Sequence, residues 1–294
     1  MFDLTARLAI HEWNMATAEL ASRRAPGLPA VTLCGVRLDA VREAECVSLI
    51  LERLKAGRGG WVVTVNLDHL RRLVRDAEYA RLCQGASLMV ADGMPLIWAS
   101  RIQGTPLPER VAGSNLVSSL SAAAAREGRS VYLLGGAPGS AVAAASRLRQ
   151  RYTGLRVAGT DCPPMGFENS PDRMGVIEER LVRARPDIIY VGLGSPKQER
   201  LIGRLRGRLP GAWWLGVGIS FSFLGGQVRR APRWMQRVGL EWLHRFAQEP
   251  RRLARRYLAQ GIPFGLCLLL NAALLRVPGG RRPRGPYQPP DHPI

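Results

Sequence analysis

Short apolar runs that alternate with longer amphipathic stretches constrain this chain more than any other feature. The runs at 31–38, 61–66, 87–91, 130–134, 155–160, 187–192 and 212–217 are rich in β-branched and aromatic residues. Helical patterns occupy 40–55, 68–84, 94–103, 114–127, 140–152, 171–184 and 196–205. Strands separated by helices of ten or more residues cannot pair as hairpins, so the expectation is a mostly parallel sheet covered on both faces. Near-continuous apolar segments such as DIIYVG and SVYLLG fit strands buried from both sides. In such sheets ligands bind beyond the carboxyl ends of the strands, which directs attention to the residues just after each run.

After Gln227 the pattern changes. Residues 227–294 hold thirteen arginines against three acids, and 234–247 reads as a helix with a broad apolar face. The whole chain of 294 residues carries 42 basic against 23 acidic side chains, a net charge of +19. Such a surface attracts anions: nucleotides, nucleic acid or acidic lipid headgroups. The tail interleaves its arginines with Trp234, Trp242 and Phe246, which suits an anionic lipid surface better than a nucleic acid.

Four segments follow: an N-terminal helix and Pro/Gly linker at 1–30, an α/β core at 31–226, a basic amphipathic membrane-associating appendage at 227–276, and a disordered tail at 277–294. The N-terminus lacks a basic start followed by an apolar run, so no signal peptide is expected. The longest apolar run, 262–275, contains Pro263, Gly265 and Asn271 and falls short of the ~20 residues that span a bilayer. The five cysteines form no CxxC pair, which argues against a zinc site or a disulfide framework and for a reducing, cytoplasmic setting.

Several strand ends carry polar residues. Thr64 and Asn66 can hold a sugar or phosphate, or Asn66 can cap the next helix. Asp92, with Gly93 allowing a tight turn, can be a general base, a metal ligand or a cap. Arg110 lies in a polar loop fixed by Pro106 and Pro108; its planar fork suits a diphosphate, or it pairs with Glu109 or another acid. Two glycine turns open helices: one with Gly135, Gly136 and Gly139, the other with Gly192, Gly194, Ser195, Pro196 and Gln198. Ser195 is placed as the cap and Pro196 as the first helical residue. Both turns present N–H groups to a phosphate, or serve only the chain reversal. Neither is a P-loop or a GxGxxG motif, although Asp161 lies where a ribose-binding acid would sit. DxD, HExxH and GxSxG are absent, and no metal site is expected.

Taken in order, TVN at 64–66, ADG at 91–93, GTPLPERVAGSNLV at 104–117, LLGGAPG at 133–139, GLGSPKQE at 192–199 and RAPRWMQRVGLEWLHRFAQEPRR at 230–252 resemble the WecG/TagA/CpsF family of bacterial glycosyltransferases. The resemblance spans 31–256. It implies a Rossmann-like α/β enzyme with a basic helical C-terminal appendage. The reaction it implies is an inverting, metal-independent transfer of N-acetylmannosamine, a hexuronic acid or a hexose. The donor would be a UDP-sugar and the acceptor a polyprenyl-diphosphate-linked glycan, at the inner face of the cell membrane. It assigns Asp92 as base, with Thr64, Asn66 and Arg110 beside it, and Gln198 and the glycine turns on the nucleotide side. Arg230, Arg233 and Arg237 correspond approximately to basic residues of a segment that closes over the site. Ser222 stands where many members carry an acid, and the TVN triplet lacks a proline often found in its middle. Partners implied are the donor, the acceptor and an anionic membrane, with no nucleic acid; a homo-oligomer is left open. The competing reading is an NAD-dependent Rossmann-type oxidoreductase using Gly135, Gly136, Gly139 and Asp161.

Overall fold

The structure, a computed structural model, describes residues 27–276. The helix expected within 1–30 and the tail expected to be disordered at 277–294 fall outside the described residues, apart from the linker's end.

The chain first forms a two-stranded antiparallel hairpin, β1 (Ala30–Leu33) and β2 (Val36–Asp39). The main sheet follows: β3 (Gly60–Val65), β4 (Leu88–Ala91), β5 (Ser130–Gly135), β6 (Arg156–Asp161), β7 (Ile188–Gly192) and β8 (Trp213–Gly216). Every pairing in it is parallel, in the order β4-β3-β8-β7-β5-β6. β5, β7 and β8 are buried along their whole length, as apolar strands covered on both faces must be. The α/β expectation therefore holds.

Helices α1 (Glu43–Lys55), α2 (Leu67–Arg75), α3 (Ala77–Gln84), α4 (Met94–Ile102), α5 (Gly113–Arg126), α6 (Ser140–Arg151), α7 (Pro171–Ala184), α8 (Lys197–Leu205) and α9 (Ser220–Gly225) cover the sheet. Then come α10 (Arg233–Arg237), α11 (Glu241–Gln248) and the long α12 (Pro250–Leu274). Alternate strand residues enter opposite cores: Trp61, Val63 and Val65 meet α2, α3, α4, α7 and α8, while Val62 meets α1, α5, α6 and α9. The helix after β5 thus lies on one face and the helix after β7 on the other. These neighbouring strands form a topological switch point, where a crevice opens at their carboxyl ends.

The structure corrects several expectations. Residues 31–38 are a hairpin rather than one strand. Cys34 and Gly35 both have positive φ (48° and 79°), the geometry of a tight two-residue hairpin turn. The hairpin covers the β4 edge, where Asp39 Oδ2 accepts from Met89 N–H at 2.8 Å. The helix expected over 68–84 breaks at Asp76, which is extended and caps α3 through Tyr79 N–H. The helix expected over 234–247 breaks before α11, where Gly239 has φ 78°. Finally, the apolar run at 262–275 is only the end of α12, whose 25 residues are long and apolar enough to cross a membrane by length and composition. One side of α12 is already engaged: Phe264, Leu268 and Ala272 are buried in the same core as Leu70 and Leu96.

Candidate active site

β3 and β4 end in register, Val65 beside Ala91, so the residues after them share one rim of the sheet. Asp92 N–H donates to Val65 O at 2.8 Å. Its carboxylate Oδ2 accepts from Gly113 N–H, in the first turn of α5, at 3.1 Å. Burial raises the Asp92 pKa above the usual carboxylate range; the Arg110 charge and the Gly113 bond oppose this, and the Glu241 charge adds to it. The result is a stronger base than an exposed aspartate.

Asn66 and Thr64 have more structural duties than the sequence alone distinguishes. Asn66 Oδ1 caps α2, accepting from Asp68 N–H and His69 N–H at 3.0 Å each. Its amide nitrogen has no hydrogen-bond partner among the described residues. Thr64 is buried within β3, and a Cβ on Gly113 would lie 3.0 Å from Thr64 Oγ1. Thr64 therefore shapes the floor under Gly113. Buried His69 places Nδ1 2.8 Å from Thr64 O. A carbonyl only accepts, so Nδ1 carries the hydrogen.

Arg110 does not pair with Glu109. Glu109 Oε1 instead accepts from Glu43 N–H at 2.5 Å, at the start of α1. Arg110 Nη1 donates to Glu241 Oε2 in α11 at 2.9 Å. Arg230 Nε donates to the other oxygen of Glu241 at 3.1 Å, and Arg230 Nη1 to Asn115 Oδ1 at 2.8 Å. Burial disfavours ionised Glu241, but the Arg110 hydrogen bond and the two guanidinium charges outweigh it and hold the carboxyl below its ordinary range. Beside this network lies a cleft of 680 Å³ lined by Arg110, Arg151, Arg230, Arg233 and Arg237, with Glu43 its one acid. Serine hydroxyls of α5 and Asn115 form one wall. Such a cleft is built for a polyanion. A second tie holds the appendage, since Arg256 of α12 lies 3.3 Å from Asp68 Oδ2.

The two glycine turns meet at the switch point. Gly135 lies opposite Gly192, and Gly136 N–H donates to Gly192 O at 2.7 Å. Gly136 has φ +88°, and a Cβ there would come within 2.3 Å of Ser140 Oγ; one on Gly192 would meet Phe221 at 2.8 Å. Gly139 and Gly194 have positive φ with open space beside them, which leaves their backbones approachable. Ser195 does not cap the following helix: Pro196 holds that position, and the Ser195 hydroxyl donates to Tyr79 OH at 3.1 Å. Gln198 is buried, accepting from Gly218 N–H at 3.1 Å and donating to Glu199 Oε1 at 2.8 Å. Both ends of its amide are used within the chain, so it braces the turn after β8. Ser222 is also buried, in α9, which packs on α6. Asp161 is occupied by Tyr132 OH and Arg180, so it has its partners within the protein rather than in a ribose.

Sequence reasoning gave no role to Glu241, although it lies inside a motif that was singled out. Its signal was its scarcity, an acid among the arginines after residue 226. Asn115 lies inside the 104–117 motif without a role of its own, and Arg151 carried no signal; only the packing of α5 and α6 brings the two to the cleft.

A buried carboxylate at a strand end of a doubly wound sheet, under the charge of an arginine that lines a cationic cleft, suits a glycosyltransferase, and this protein is one. The chain belongs to the Glycosyl transferase WecG/TagA/CpsF family, whose model matches residues 31–277. It is 29% identical over 197 residues to the N-acetylglucosaminyldiphosphoundecaprenol N-acetyl-beta-D-mannosaminyltransferase of Bacillus subtilis (strain 168), covering 67% of this chain and 75% of that protein. The oxidoreductase reading is set aside accordingly.

Proposed function

We propose that the protein transfers a sugar, with inversion and without a metal ion, from a UDP-sugar to a polyprenyl-diphosphate-linked glycan. The observation that carries this reading is Asp92, held by Gly113 N–H beside Arg110 and the cationic cleft. An acceptor hydroxyl attacks the anomeric carbon from the face opposite UDP. The Asp92 carboxylate takes its proton while the bond from that carbon to the UDP oxygen breaks. The diphosphate leaves with its charge met by Arg110, by cleft arginines and by N–H groups of the glycine turns. The Bacillus subtilis relative's name makes N-acetylmannosamine the first sugar to test and N-acetylglucosaminyl-diphosphoundecaprenol the first acceptor.

In this reading the chemistry takes place at the cytoplasmic membrane face, which the composition of the appendage supports. Trp234, Trp242, Leu266, Leu270 and Leu274 are exposed, and Arg251, Arg252, Arg255 and Arg256 lie at the other end of α12. A helix docked on the core by Phe264 and Leu268 cannot also cross the bilayer, so it lies along the interface with its free apolar face inserted. The test is a screen of UDP-sugars for UDP release with and without the lipid-linked acceptor. Release that requires both substrates is the expected result. The absence of acceptor-dependent release across the UDP-sugars would end the proposal.

A further inference from the structure

Glu241 joins parts of the molecule that are remote in sequence. Its two oxygens bond Arg110, in the loop between α4 and α5, and Arg230, at the start of the appendage. Arg230 continues to Asn115 of α5. The three charged side chains are only 16%, 25% and 24% exposed, so this is no solvated surface pair of little worth. Two guanidinium groups share one carboxylate, which leaves a net positive charge. Arg230 Nη2 is buried without a partner among the described residues, an N–H edge whose acceptor the described protein does not supply. Arg233 and Arg237 follow on α10 and line the same cleft.

We propose that Glu241 is a positioning residue for the transfer: by bridging Arg110 to Arg230 it latches the appendage onto the core and holds its arginines in the cleft that Arg110 also lines. The inference rests on the transferase reading above and names the contact that assembles its site. It also couples Glu241 to the base. The charged and polar groups acting on Asp92 are Arg110 from the loop, Gly113 N–H from α5, Glu241 from α11 and His69 from α2. Of these, Glu241 opposes ionisation of Asp92, and it also balances the Arg110 charge that favours it. Replacing Glu241 by a neutral isostere therefore moves ionisation of Asp92 to lower pH.

The experiment compares the full-length parent with Glu241→Gln and Glu241→Asp. Hydrogen exchange of residues 227–249 reads the latch without reference to activity. It should quicken in Glu241→Gln while the strands stay protected, and unchanged exchange overturns the latch. Should the parent transfer no sugar, the transferase reading fails, and exchange still decides whether the latch exists. With an active parent, Glu241→Gln should lower kcat/KM for the lipid-linked acceptor by about 10-fold or more, because the clamp loses its productive geometry. Glu241→Asp should recover part of that loss, and the acid limb of the pH–rate profile should move to lower pH in Glu241→Gln. Faster exchange with transfer within about threefold of the parent and an unmoved acid limb would reduce Glu241 to a structural contact, since lost positioning has to appear in the rate. Tighter UDP binding with faster transfer would show that it competes with the diphosphate. Either result overturns the proposal.

Discussion

The carboxylate of Asp92 is oriented by the backbone of Gly113, whose N–H donates to Oδ2 at 3.1 Å. Gly113 in turn lies against Thr64, where a Cβ would approach Oγ1 to 3.0 Å. The carboxylate is thus aimed by a main-chain group rather than a side chain, and the position of that group depends on a glycine.

Asp92→Asn should lower transfer by about 10²-fold or more, the usual range for loss of a general base. The melting temperature should stay the same or rise. The folded carboxyl has a raised pKa, so ionised Asp92 weakens the fold as pH rises, and a neutral amide removes that penalty. The parent's kcat/KM should fall on the acid side at a pH above the ordinary aspartate value of about 3.9. Paired melting curves and pH–rate profiles check both points.

Gly136→Ala should damage the nucleotide side of the site. Its φ of +88° disfavours any L side chain, and the new methyl would sit 2.3 Å from Ser140 Oγ and 3.1 Å from Phe221. A cost of about 1–3 kcal/mol is expected from the backbone strain, together with weaker UDP binding by calorimetry. Gly139→Ala makes a useful contrast, since its φ of +76° is strained but nothing lies within 4 Å of the added carbon. It should be the milder change.

The two sides of α12 should separate membrane binding from stability. Leu266 and Leu270 are 58% and 65% exposed, whereas Leu268 between them is 1% exposed. Leu266→Ser with Leu270→Ser should cut sedimentation with phosphatidylglycerol vesicles at high salt and leave melting within about 0.5 kcal/mol of the parent. Leu268→Ala should cost about 2–5 kcal/mol without removing the exposed face. Binding that is equal in the parent and the double variant would show that this face is not the anchor.

The sheet was legible in the sequence because parallel strands buried on both faces read as near-continuous apolar runs, as 188–192 and 131–134 do. Their order across the sheet was not, since pairing β8 between β3 and β7 is a long-range choice that no local pattern records. The hairpin was hidden because Cys34 and Gly35 sit inside an apolar run, where the turn is carried by two positive φ angles. Asp76 broke a helix that periodicity alone continued, because its side chain caps better than it propagates. At the site, Asp92, Arg110 and the glycine turns could be picked out by type and position. Their partners could not: Arg110 meets Glu241 across 131 residues. From the sequence Ser195 suits a helix cap in a phosphate-binding turn and Gln198 a ligand-facing amide, yet in the fold they engage Tyr79 and the turn after β8.

β8 is the last strand in sequence among the described residues, yet it sits in the middle of the sheet, between β3 and β7. Without it, β4–β3 and β7–β5–β6 would share no strand pairing. Its pairing with β3 joins segments far apart in sequence, the kind of contact that carries a high loop-closure cost. The crevice at β5 and β7 and the rim that carries Asp92 are therefore held in one sheet through Trp213–Gly216.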